Sequence, residues 1–145
     1  MTQSTYQDAE LLLKLYDMRR EERLRTARAW FIGNFSAGSV GEAMEKYPHG
    51  SDHNAYYRMV STYWDMAASF VVRGVLNEEL FFENSMEMLL VWEKMKDLVA
   101  DLRRLRKNPT LYRNLEKAAA KHIEWLNKQA PEAYEGLRAM LVPRK

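Results

Sequence analysis

The stretch YWDMAASFVVRGVLNEELFF, residues 63–82, sets two aromatic clusters on either side of R-G-V-L-N, and its reading decides the fold. A glycine just past a helix end can take the left-handed backbone that other residues resist, so Gly74 is expected to stop the helix that carries Tyr63 and Trp64. Shortly after it, Asn77 precedes Glu78 and Glu79: an N-cap side chain, then acids suited to the positive end of a new helix dipole. One helix ends and another begins within about three residues, which leaves room only for an antiparallel hairpin. R-G-V-L-N therefore reads as a turn rather than a functional loop.

Working outward, the hairpin extends over residues 54–107. Tyr56, Met59, Val60, Tyr63, Ala67, Phe70 and Val71 recur at three and four, and Trp64 and Ala68 widen the stripe, so this first arm should be the most buried helix. The second arm carries Leu80, Phe81, Met88, Trp92, Met95, Leu98, Val99, Leu102 and Leu105 at helical spacing, with a kink allowed at Asn84-Ser85, whose side chains offer competing local hydrogen bonds. On the N-terminal side, residues 6–33 are rich in Ala, Leu, Arg and Glu and read as one long helix with an exposed middle, R-R-E-E-R-L-R-T-A-R over residues 19–28, where i,i+4 pairing within the helix accounts for the arginines up to Arg28. Ser39-Val-Gly-Glu42 has the spacing of a capping box for a short helix through Tyr47, which Pro48-His-Gly-Ser-Asp52 ends. On the C-terminal side, Asn108-Pro109-Thr110 breaks the second arm, a further helix runs from Leu111 to Lys128 with Leu111, Leu115, Ala118, Ala119, His122, Ile123 and Leu126 as its buried face, and Pro131 opens a last short one to Leu141, with residues 143–145 frayed. The expected architecture is all-α: one domain over residues 1–145, an irregular bundle of four main helices plus two short ones, with the C-terminal helices at 110–141. No segment shows the period-two alternation of a strand.

The chain has 145 residues, 47% of them hydrophobic and 29% charged, a balance that supports one folded domain. It has no cysteine, which excludes disulfides, thiol nucleophiles and thiolate metal sites and points to a cytoplasmic setting. No run approaches the roughly 20 apolar residues of a membrane span.

Few residues offer chemistry. His49, Asp52 and His53 could meet a metal ion, but Pro48 and Gly50 place them in a loop, where the i,i+4 convergence that a helix gives two histidines is absent. A di-iron bundle needs Glu-x-x-His, and three residues before His122 lies Ala119. His122 itself falls on an inner stripe and reads as a core histidine bonded to a neighbour. Asp65 sits in the aromatic helix; if it faces inward it needs a partner such as Arg103 or Arg106, because an unpaired buried carboxylate is costly. A pocket lined by Asp65, His122 and those arginines would be the seat of any enzyme activity. The serines read as caps and turns, with no nucleophile elbow and no phosphate loop. No catalytic residue, metal or cofactor is expected.

Charge is uneven along the chain: residues 51–100 hold eight acids and four bases, residues 101–145 five acids and eleven bases. The basic third either neutralises the acidic middle on packing or presents a face, built on Arg103, Arg104, Arg106, Lys107, Arg113 and Lys117, to an anionic partner such as nucleic acid. Neutralisation is favoured, since the formal net charge is only +2. Two aromatic clusters, Trp30, Phe31 and Phe35 and then Phe81 and Phe82, contain adjacent rings about 100° apart on a helix, more than one small core readily buries. Left-over apolar surface there implies an interface, with a homodimer formed through the long N-terminal helix as the expected partner, unless the short helix from Ser39 to Tyr47 folds over the rings. The functional expectation is a non-enzymatic interaction or scaffold module; the alternative is a nucleic-acid-associated protein.

The W-F-I-G segment after the charged first helix, the Y-R-M-V-S-T-Y-W-D-M-A-A-S-F-V-V-R-G-V-L-N-E-E-L-F-F hairpin, the following V-W-E-K-M, the L-R-R-L-R run and L-Y-R-N-L-E resemble a family of bacterial and phage helical domains of unknown function, DUF4760. The resemblance spans residues 12–125. Many relatives carry a membrane span ahead of the first helix, which this chain departs from. The resemblance implies an all-helical fold and supplies no activity.

Overall fold

The computed structural model describes residues 3–141, and among them every regular element is a helix. In chain order these are α1 (Tyr6–Arg19), α2 (Glu22–Asn34), α3 (Val40–Lys46), α4 (Asp52–Val72), α5 (Glu78–Asn84), α6 (Met86–Arg106), α7 (Arg113–Gln129) and α8 (Ala133–Leu141). The expectation for residues 143–145 lies outside the described residues.

The turn between α4 and α5 is built from the two caps that its residues announce. Gly74 takes φ +76°. Its N–H donates to the Val71 carbonyl at 3.0 Å and that of Val75 to Phe70 at 2.8 Å, the bond pair of a Schellman motif. The Asn77 side-chain oxygen then accepts from Leu80 N–H at 2.9 Å and starts α5. A Cβ on Gly74 would meet nothing within 4 Å. Gly74→Ala is therefore expected to cost about 1 kcal/mol through backbone conformation alone. Urea unfolding should show a lower midpoint with unchanged slope.

Three expectations are corrected. The helix read over 6–33 is two helices, because Glu21 leaves the helical backbone (φ −57°, ψ 138°) and its carboxylate accepts from the N–H groups of Arg23 and Leu24 at 3.0 and 2.9 Å, capping α2. The bend lets both pieces face the core: Tyr63 donates its hydroxyl to the Leu15 carbonyl, Arg28 reaches the Arg19 carbonyl, and Leu15, Leu24 and Ala27 are all buried. The helix read over 78–107 is also two, divided at Ser85 (φ −135°, ψ 42°). Four main helices plus two short ones thus become eight among the described residues.

Asp8 ties α1 down at its start. It forms a capping box with Thr5 and also accepts the Asn77 N–H at 2.8 Å, joining the starts of α1 and α5. The Thr5 and Asn77 backbone bonds hold its carboxyl below the usual carboxylate range.

The core is organised around α4, which packs between α2 and α7 and also touches α6. Val60, Ala67 and Ala68 are fully enclosed, and Trp64 is 1% exposed, which matches the broad apolar stripe of this helix. Ser61 meets Tyr112 just ahead of α7, and Asp65 meets Leu115 a turn further on, so α4 and α7 run in the same direction. The intervening crossover is α5 and α6. One polar clamp crosses the core boundary: Glu87 of α6 accepts from Arg28 Nε at 2.8 Å, Arg28 Nη2 at 3.0 Å and Trp64 Nε1 at 2.9 Å, binding α2, α4 and α6 at one carboxylate. Arg28, expected to pair within its own helix, pairs across the bundle instead.

Candidate interaction surfaces

The aromatic clusters do not leave the surface expected of them. Phe31, Phe35, Phe81 and Phe82 are at most 1% exposed, and Trp30 is half-buried. Adjacent rings are both covered because neighbours stand on two sides. Tyr47, at the end of α3, closes on Trp30 at 5.1 Å and on Phe35 at 5.4 Å, while His53 stacks on Trp30 at 4.4 Å. The short α3 segment folding over the rings is thus what the structure shows. Phe82 stacks on His122 at 4.5 Å and tilts against Trp125.

Asp65 and His122 do separate jobs. Asp65 is half-buried, and its Oδ1 accepts the Leu115 N–H at 2.9 Å, so α4 supplies the cap that Tyr112, the residue at the N-cap of α7, does not. Burial pushes its carboxyl above the usual range, against the pull of the Leu115 N–H and the Arg103 charge. The expected ion pair with Arg103 or Arg106 is not formed. Arg103 instead donates Nε to the Leu111 carbonyl at 2.9 Å and pairs Nη1 with Glu116 at 3.1 Å, bracing the turn between α6 and α7.

His122 is fully buried, and neither ring nitrogen makes a well-formed hydrogen bond; the one polar neighbour acting on the ring is the backbone of Phe82. Burial lowers its pKa from the ordinary 6.5 to about 4, with only the Phe82 backbone opposing. The imidazole is held neutral as an aromatic filler.

Two open clefts flank the bundle. One, of ≈ 1010 Å³, lies between the loop after α2, α6 and α8; in it Lys94 donates Nζ to the Phe35 carbonyl at 2.9 Å. The other, of ≈ 930 Å³, lies beside the α4–α5 turn and includes Trp125. Neither contains Asp65 or His122. His49 and Asp52 are exposed, and among the described residues no group of three His, Asp or Glu side chains is placed to hold a metal.

The basic third divides by role. Arg103 is a brace, and Arg104 pairs with Asp101 at 2.6 Å on its own helix. Lys121 reaches Glu78 and Arg138 reaches Glu93, so neutralisation of the acidic middle is partial. Arg106, Lys107, Arg113 and Lys117 are exposed and form no ion pair among the described residues. The division was invisible in the sequence, where all six bases look alike.

A surface that sequence reasoning missed lies on α1. Asp8 and Leu15 face inward, while Tyr6, Leu13 and Tyr16 are 79%, 66% and 50% exposed. Positions 6, 13 and 16 fall within one arc of about 80° at 100° per residue, a second apolar stripe centred about 130° round the helix from the buried one. The signal was present in the triplet Leu11-Leu12-Leu13, too wide for one inward face.

The class that this architecture defines is an all-α domain built around a central helix. Residues 4–139 match the family described as Domain of unknown function (DUF4760), and the chain belongs to it. No curated protein and no solved structure matches the chain. Among the described residues no helix is long and apolar enough to cross a membrane.

Proposed function

We propose that this protein is a non-enzymatic interaction module of the cytoplasm whose contact surface is the outer face of α1, and that a second copy of the chain is its first partner. The exposed stripe of Tyr6, Leu13 and Tyr16 carries this reading, because it adds apolar residues to a helix whose inner face is already packed. The face is also self-complementary. Antiparallel pairing of two α1 helices about Leu13 sets Tyr6 of each copy against Arg20 of the other, and Glu10 of each against the Tyr16 hydroxyl of the other. Arg19 and Arg20 already lie over the Tyr16 ring, at 5.1 and 5.8 Å from its centre, so guanidinium–aromatic contact suits this surface. The interior carboxylates support a non-catalytic role, since Asp8, Asp65 and Glu87 are each committed to backbone, guanidinium or indole N–H groups.

A helix of 14 residues spans only about 21 Å, so the contact is small and the dimer weak. Light scattering over a hundredfold concentration range is expected to show the mass rising from 17.1 kDa towards twice that value. Leu13→Glu should hold it at the lower figure with the helical spectrum unchanged. A wild-type mass that stays at 17.1 kDa throughout would sink the proposal.

A further inference from the structure

The four cations of the C-terminal third that form no ion pair among the described residues are not scattered. Arg106 and Lys107 end α6, Lys107 in the left-handed conformation at φ 53°, and Arg113 opens α7 after a turn that Arg103 braces. Lys117 follows Arg113 by four residues, on the same face of α7 and about 6 Å further along its axis. From α4, exposed Arg58 joins them: it lies three residues before Ser61, whose hydroxyl meets that of Tyr112 at 2.9 Å just ahead of Arg113, which sets these charges at one end of the bundle. Of the nearby acids, Asp65 is engaged on the Leu115 N–H, and Glu116, though 47% exposed at its side chain, is paired with Arg103. What faces outward is a positive patch assembled from three helices.

We propose that this end of the bundle binds nucleic acid through the phosphate backbone, with Arg58, Arg106, Lys107, Arg113 and Lys117 as the contacts and no reading of bases. The cations come from separate elements held by a rigid turn, which suits a chain of evenly spaced phosphates. Tyr57 and Tyr112 are drawn into the fold, Tyr112 by its bond to Ser61, so they provide no stacking platform for bases. An anionic membrane fits less well, because Leu105 is the one large exposed apolar side chain on the α6–α7 turn and its flanks, whereas surface helices bind lipid through a whole apolar face.

The test is fluorescence anisotropy of the full chain with a labelled single strand and a labelled duplex of mixed sequence, from low salt to physiological salt. Binding to either is expected at low salt. Five phosphate contacts give a log–log salt slope of about −4.5 on duplex or about −3.5 on single strand. The double variant Arg113→Gln, Lys117→Gln should weaken binding roughly tenfold at low salt and flatten the slope by about 2 units. Arg104→Gln, in an existing pair, should change little. Circular dichroism of each variant checks the fold, which these exposed positions do not support. The proposal is overturned by absence of binding at low salt, by an unchanged slope in the double variant, by strong preference for one base sequence, or by binding to phosphatidylserine vesicles in place of nucleic acid.

Discussion

Glu87→Ala is expected to destabilise the fold by about 3 kcal/mol, among the largest effects of any single substitution outside the aliphatic core. The carboxylate accepts three hydrogen bonds, two from Arg28 and one from the Trp64 indole, and the Arg28 and Glu87 side chains are only 25% and 19% exposed. Its removal strands a guanidinium and an indole N–H where water reaches them poorly, and each then bears its desolvation penalty. The Glu87 bond is the leading cause of the raised pKa of Arg28. Glu87→Gln keeps a single acceptor oxygen, which can serve Trp64 Nε1 and Arg28 Nε together but turns an amide N–H towards Arg28 Nη2, so it should cost about half as much. Urea unfolding of both variants, with Arg28→Ala completing a double-mutant cycle, measures the coupling. A coupling under about 0.5 kcal/mol would show that the clamp is incidental.

The second large effect is acid sensitivity through His122. Its pKa in the folded protein is about 4, against an ordinary 6.5, so the unfolded chain binds this proton more readily than the native one. The stabilisation is complete above pH 6.5, declines as the pH falls, and is gone below about 4. The difference amounts to about 3 kcal/mol, at 1.36 kcal/mol for each unit. Asp8, Glu21 and Asp101, held low by hydrogen bonds, add losses at still lower pH, whereas Asp65, pushed upward, acts in the opposite direction. His122→Phe keeps a ring against Phe82 and removes the titration. Comparing unfolding free energies at pH 7 and pH 4.5 isolates the histidine: the wild-type protein should lose about 2 kcal/mol more than the variant over that interval. Equal losses in both proteins would contradict the assignment.

Those two sites mark what could and could not be read from the residues alone. The turn at Gly74 and Asn77, the break at Pro109 and the inner face of α7 were legible because each depends on local chemistry: a left-handed glycine, an acceptor side chain, a missing N–H, a helical period. Of the seven positions expected on that face, Leu115, Ala118, Ala119, His122 and Leu126 are buried in α7, while Ile123 is only partly buried and Leu111 precedes the helix. The division of the N-terminal helix was not legible, because Glu21 is an uncommon cap and is flanked by strong helix formers. Its reason is tertiary, the need to face Leu15 and Ala27 to one core. The Glu87 clamp joins residues 59 and 23 positions apart, a separation at which no local pattern exists. The Phe31–Phe35 and Phe81–Phe82 rings misled for the same reason, since an argument from one helix cannot count the neighbours on its other side. Among the bases, composition located the excess correctly, but only geometry separates the brace, Arg103, from the unpaired set.

The parallel pairing of α4 and α7 bears on how the protein is made. A ribosome delivers the chain from its N-terminus, so α4 emerges with its Trp64 and alanine face well before Leu115, Ala118 and Ala119 exist to cover it. Asp65 waits fifty residues for the N–H group that it caps. The nascent chain must carry an apolar helix through the synthesis of the whole α5–α6 crossover, and its core closes only after α7 has been made. A message cut short before α7 yields a product with α4 uncovered, a substrate for chaperones and proteases rather than a shorter working domain.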